Sequence, residues 1–221
     1  MQRRLLLTGG AAVLGLGGWA LTRPADMPAN PLAANASTAT PEMDTSGITD
    51  MVLGSADAPV EIIEYASFTC PHCANFHSSL MPQIKADYID TGKVRFVYRE
   101  VYFDRFGLWA SMIARCGDGM RFFGMTDLLY ERQRDWTASG DPATIVADLR
   151  KLAKTAGYTD EMLDECLDDA DQAQALVGWY QANAERDGVR STPTFLINGT
   201  KLDTSWASGL IPAIDAALGD A

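Results

Sequence analysis

Cys70-Pro71-His72-Cys73 combines residue types and a spacing that can carry covalent chemistry. Two cysteines two residues apart can open and close a small, strained disulfide ring. A strand before the pair and a helix after it would put both sulfurs on one face of the first helical turn. Pro71 suits such a start, because its missing N–H is not needed there. Free backbone N–H groups at a helix start stabilise an anion, so the thiolate of Cys70 is favoured over the thiol. Each pKa unit removed from Cys70 is worth about 1.4 kcal/mol of thiolate stabilisation. That stabilises the reduced form and makes the disulfide a stronger oxidant. Cys70, at the helix tip, is the sulfur expected to be open to attack; Cys73, one turn inside, is expected to resolve. His72 can give a hydrogen bond or charge to the thiolate, or stand as a solvated turn histidine. The inert alternatives for the pair are a structural disulfide or a zinc half-site, and no second Cys-x-x-Cys accompanies it.

The flanking segments predict the elements that would hold this pair. Val60 to Ala66 is rich in β-branched residues and reads as a strand. Pro71 to Tyr88 carries Phe76, Leu80, Met81, Ile84 and Tyr88 at helical spacing, with a kink expected at Pro82. Lys93 to Tyr102 alternates like a strand, and a strand–helix–strand unit implies a parallel pair. From Phe106 to about Arg186 only helical signals occur, with starts at Asp141-Pro142, Thr159-Asp160-Glu161 and Asp168 to Asp171. Pro193 to Ile197, the turn pair Asn198-Gly199 and Lys201-Leu202 predict a hairpin, followed by a helix over Leu210 to Leu218. The predicted class is α/β with an inserted all-helical domain.

Composition is ordinary for a globular protein, at 47% hydrophobic and 21% charged. The formal net charge of −11, with no basic run, argues against nucleic acid as a partner. Arg3-Arg4 followed by the uncharged apolar stretch Leu5 to Leu21 has the layout of a signal peptide or an N-terminal anchor. The Arg3-Arg4-x-Leu-Leu pattern is similar to a twin-arginine signal. Residues 22–47, rich in Pro, Ala, Asn, Ser and Thr, read as a flexible linker. The expected layout is then 1–21 signal or anchor, 22–47 linker, 48–104 and 187–221 two parts of one domain, and 105–186 the helical insertion. An exported chain can keep disulfides. Cys116 and Cys166, both in the insertion, would bridge two helices there; buried free thiols or a second redox pair are the alternatives. His77, four residues after Cys73, reads as a polar helix-surface residue, or as a metal ligand with Cys70 and Cys73. The Phe122, Phe123, Met125, Leu128 and Leu129 cluster reads as core.

Glu64-Tyr-Ala-Ser-Phe-Thr-Cys-Pro-His-Cys73 and Ser191-Thr-Pro-Thr-Phe-Leu-Ile-Asn-Gly199 resemble the DsbA family of thiol–disulfide oxidoreductases. The resemblance implies a thioredoxin fold with a helical insertion and a monomer that needs no cofactor. It implies Cys70 as nucleophile, Cys73 as its partner, and Pro193 as a cis proline facing them. Pro71 and Thr192 would border the substrate, whose chain could add as a short strand. Glu64 would be a buried acid relaying a proton near Cys73, although a solvent-facing strand residue is its plain alternative. The implied partners are reduced or unfolded exported proteins and a DsbB-like membrane reoxidant, in the periplasm. Threonine before the proline also occurs in reductase- and isomerase-like relatives, which keeps a disulfide reductase or isomerase as the alternative function.

Overall fold

The computed structural model describes residues 44–220 except Asp118, so the signal or anchor segment and most of the linker lie outside the described residues. Among these residues, five strands form one mixed sheet: β1 (Met51–Leu53), β2 (Val60–Ala66), β3 (Val94–Glu100), β4 (Thr194–Ile197) and β5 (Thr200–Lys201). The order is β1-β3-β2-β4-β5, so β2, the strand leading to the cysteine pair, is central. It pairs in parallel with β3 and antiparallel with β4, which sets Glu64 opposite Tyr98 on one side and Phe195 on the other. The edge strand β1, antiparallel to β3, carries too short an apolar run to be expected from sequence. The β4–β5 turn places Asn198 and Gly199 at positive φ, 47° and 78°, the conformation an Asn-Gly hairpin demands.

Both faces of the sheet are covered, which fits the apolar side chains that β2 sends to both faces. Val60, Ile62, Ala66, Phe96, Tyr98 and Phe195 turn to the larger core. Ile63, Tyr65, Val97 and Leu196 turn to a smaller one, closed by Tyr180 and Val189. The larger core continues through α1 (Pro71–Ser79), α3 (Arg105–Ala114), α4 (Phe122–Glu131) and α9 (Trp206–Gly219), with Phe68, Phe76, Ile113 and Phe122 fully enclosed. Each such side chain contributes about 1.5–3 kcal/mol relative to exposure. Phe122, Met125 and Leu129 are indeed core, with Phe123 and Leu128 packed against it.

The single helix expected over 71–88 is corrected. α1 stops at Ser79 and a short α2 (Met81–Ile84) leads into a π-helical turn, Lys85–Ile89. Pro82 occupies the first turn of α2 rather than a mid-helix kink, because without an N–H it cannot extend the ladder of α1. The remaining helices, α5 (Gln133–Trp136), α6 (Pro142–Thr155), α7 (Asp160–Asp168) and α8 (Ala170–Arg186), lie between β3 and β4 with α3 and α4. Asp104, Asp141, Thr159 and Asp169 cap α3, α6, α7 and α8 by accepting from backbone N–H groups. Such a cap is typically worth about 1 kcal/mol.

One polar cluster and one disulfide tie the layers. Arg99 on β3 donates to both carboxylate oxygens of Asp50, each at 2.8 Å, and to the Tyr65 hydroxyl at 2.9 Å. The Tyr65 hydroxyl donates in turn to Asp187, just past the end of α8. Burial, and then the bond to Asp187, push the Tyr65 phenol up to about 12, so it remains a neutral donor. Cys116 and Cys166 are joined in a disulfide that fastens the end of α3 to α7. Their separation of 50 residues corresponds to roughly 4 kcal/mol of unfolded-chain entropy. Cys116→Ala combined with Cys166→Ala is expected to lower stability by about 2–4 kcal/mol, read from urea unfolding, with the fold retained in buffer.

Candidate active site

Cys70 sits where the chain leaves the turn after β2 and enters α1. It is the N-cap residue of that helix, with φ −84° and ψ 118°, and Pro71 follows in the first turn. A capping side chain accepts hydrogen bonds from the N–H groups of the second and third helical residues. Sulfur stands at that position here without closing a side-chain capping bond, although the backbone N–H groups of His72 and Cys73 favour its anion. The Cys73 thiol, as a hydrogen-bond donor, is the largest influence on Cys70. Burial opposes it, and the Thr192 hydroxyl and the two backbone groups add to it. Together they lower the Cys70 pKa to about 5. Thr192 Oγ1 is buried without a hydrogen-bond partner among the described residues, a donor for which the thiolate is the fitting acceptor.

The Thr192–Pro193 peptide bond is cis, and the Cys70 thiol donates to the Thr192 carbonyl at 3.5 Å. The two cysteines are unbonded to each other and differ in access, at 8% exposed for Cys70 and 0% for Cys73. Cys70 is thus less open than a helix tip suggests, because the Thr192 loop lies against its sulfur. The order of access between the two sulfurs is nevertheless as expected. Burial drives the Cys73 thiol far above its ordinary pKa, helped by its bond to Cys70 and by the charge of Glu64.

The helical block supports this turn from behind. Gln133, buried on α5, donates its amide nitrogen to the carbonyls of Phe68 and Cys70, at 2.8 and 2.9 Å. The Tyr130 hydroxyl donates to the Ser67 carbonyl at 3.3 Å. Thr69 donates to Asp104 at 2.9 Å, and the other oxygen of Asp104 caps α3. These three supports were not singled out from sequence, since nothing local marks a glutamine or tyrosine as belonging to a distant loop.

Several expectations change here. The His72 ring is exposed, and what His72 brings to the sulfur is its backbone N–H. Glu64 keeps its expected place as a buried acid, and the solvent-facing alternative falls away. His77 is neither a surface residue nor turned to a metal: its side chain is 4% exposed and Nε2 lies 2.8 Å from Glu64 Oε2. Among the described residues no group of three or more metal-ligating side chains forms. The spacing Cys73, Phe76/His77, Leu80, Ile84 is an inward-facing stripe, a signal that could have placed His77 inside.

A cysteine that caps a helix beside a cis proline, on a sheet interrupted by a helical block, defines a protein of thiol–disulfide exchange. Comparison with known proteins agrees. A family model described as thioredoxin matches residues 46–216. A Rickettsia bellii protein named for protein-disulfide oxidoreductase activity is 34% identical over 80% of this chain and 70% of its own length. The chain spans 63% of the length of a Rickettsia typhi relative, and 67% of Disulfide bond formation protein D of Bacillus subtilis, which is 31% identical over 66% of this chain. Among solved structures, Wolbachia pipientis α-DsbA1 matches with a TM-score of 0.69 at 26% identity, covering 78% of this chain and 92% of that one. Bacillus subtilis BdbD matches with a TM-score of 0.68 at 26% identity over 77% and 93%. The chain belongs to the thioredoxin family, within its DsbA-like protein-disulfide oxidoreductases.

Because the pKa of Cys70 is lowered in the folded state, its contribution to stability is fully present above the pKa of a free thiol. It is lost as pH falls through about 5. Reduced protein is therefore expected to gain stability over oxidised protein as pH rises from about 5 towards about 8.5, read from paired melting curves. Thr192→Val is expected to move the thiolate titration midpoint upward, read from thiolate absorbance.

Proposed function

We propose that the protein is an exported oxidase that introduces disulfides into other proteins through Cys70 and Cys73. The observation that carries this reading is the unequal acidity of the two sulfurs, with Cys70 lowered to about 5 and Cys73 pushed the other way. In oxidised protein, a substrate thiolate attacks Cys70 Sγ, on the more exposed residue of the pair. The Cys70–Cys73 bond breaks, and Cys73 leaves with the electron pair and takes up a proton. A second substrate thiolate then attacks the substrate sulfur of the mixed disulfide, and Cys70 leaves as a thiolate. Two electrons have moved from substrate to Cys70 and Cys73, and no cofactor is needed. A leaving sulfur that is stable as an anion favours this direction.

The groove beside the cis proline, lined by Ser191, Pro193, Thr194 and Trp206, has a volume of about 450 Å³. It offers room for an extended substrate segment next to Thr192. Export is supported by the basic start and the apolar stretch Leu5 to Leu21. Return to the disulfide form would fall to a membrane reoxidant of the DsbB kind. A second reading, isomerase or reductase, has two supports: Thr192 before the proline, and the protein-disulfide isomerase name of a Novosphingobium aromaticivorans structure that matches with a TM-score of 0.70.

Equilibration with glutathione separates the two. An oxidase is expected to have a potential well above the glutathione couple, and a strongly reducing value would favour the second reading. Cys73→Ser is expected to accumulate mixed disulfides at Cys70 with reduced exported proteins, visible on non-reducing gels, and Cys70→Ser is expected to accumulate none.

A further inference from the structure

The exchange reading leaves one requirement unmet. Cys73 has no exposed surface, yet it must gain or lose a proton each time the disulfide opens or closes. Glu64, also fully buried, is near enough for its charge to act on Cys73. Neither group reaches water itself. Glu64 Oε2 is bonded to His77 Nε2 at 2.8 Å, while Glu64 Oε1 and His77 Nδ1 are both buried without a hydrogen-bond partner among the described residues. Orphaned polar atoms at both ends of one hydrogen bond are costly unless they serve something.

The His77 ring is stacked on Tyr130, with centroids 4.3 Å apart, and forms a wall of a cavity of about 370 Å³. Lys85, Asp127 and Glu131 stand around that cavity, and it shares no lining residue with the mouth formed by Cys70, Thr192 and Pro193. Burial pushes the Asp127 carboxyl up, against the pull of His77 and Lys85, so the cavity rim is electrostatically joined to the ring. The ionisable groups around the pair are Cys73 on α1, Tyr98 on β3, Asp127 and Tyr130 on α4, and Lys85 in the π-helical turn.

We propose that His77 is the relay by which the buried Cys73–Glu64 couple exchanges its proton with solvent through this separate cavity. The inference rests on the exchange reading above. When the disulfide is reduced, Cys73 Sγ leaves as a thiolate and takes one proton from Glu64. Glu64 recovers it from His77 Nε2, and the ring regains one proton at Nδ1 through water admitted from the cavity that His77 lines. Oxidation runs the same path backwards. His77 touches no reacting atom, so it is a positioning and relay residue that acts through Glu64. The substrate mouth can then stay closed over a bound chain while the proton moves by another door.

The test is the rate of disulfide exchange with a reduced two-cysteine peptide between pH 5 and 9, using the full chain. His77→Gln, which keeps a donor for Glu64 but cannot pass a proton on, is expected to slow exchange about 10²-fold near neutral pH and to flatten the pH profile. The Cys70 thiolate titration, set by other groups, is expected to stay in place. His77→Ala is expected to regain rate on addition of imidazole, which the enlarged cavity can hold. Wild-type rate and pH profile in His77→Gln would overturn the relay, as would a slowed His77→Ala that imidazole does not rescue. Should both His77 variants fail to fold, Glu64→Gln decides: a slowed, pH-insensitive rate supports the path, and an unchanged rate overturns it. A wild-type protein that exchanges nothing with the peptide would instead count against the exchange reading itself.

Discussion

The first N–H groups of α1 have no carbonyl to bond within the helix, and the residue placed beside them at the N-cap is a cysteine. That constraint organises the active end of the molecule. An oxygen-bearing cap would satisfy the same groups and do no chemistry. A cysteine there is favoured as an anion first by the Cys73 thiol, then by the Thr192 hydroxyl and the backbone N–H groups of Cys73 and His72. Pro71 in the first turn leaves the helix start intact, and the extended conformation at Cys70 aims the side chain back over it. The second cysteine follows from helical geometry: one turn on, at position 73, it lies under the first and faces the core.

The two sulfurs obtain opposite chemistry from a short separation because the environment changes abruptly between them. Cys70 meets backbone donors, a threonine hydroxyl and an edge of solvent. Cys73 meets Phe76, the sheet and the charge of Glu64. The sheet makes this possible. By the alternation of β2, Glu64 falls on the same face as Val60, Ile62 and Ala66, so an acid is delivered into the main core directly behind the helix. A carboxyl in that position without partners would be a large cost, and His77 on α1 meets one of its two oxygens.

Much of this was legible in the chain. The cysteine pair, the proline between them, the caps at Asp141, Thr159 and Asp169, and the Asn198-Gly199 turn are local signals, and local physics decided them. The DsbA-like resemblance added the proline at 193 that local rules could not single out. The misreadings share one cause: they concern how far a side chain is buried. His77 shares a stripe with Cys73 and Leu80, but histidine type outweighed position. Thr192 against the Cys70 sulfur, Gln133 behind the turn and the edge strand β1 depend on contacts between distant segments, which no window of sequence contains.

Gln133 holds two carbonyls with a single amide nitrogen, and one of them belongs to the residue that carries the reacting sulfur. The helical block is therefore not a detachable recognition module resting on a finished catalytic one. Transplanting a block from a relative that lacks this amide would take the side-chain donor from the Phe68 carbonyl and leave the Cys70 carbonyl only the Ala74 N–H. Altered reactivity would follow even with every residue of the Cys-x-x-Cys segment kept. Divergence in the helices and tuning at the sulfur are, in this architecture, one evolutionary variable rather than two.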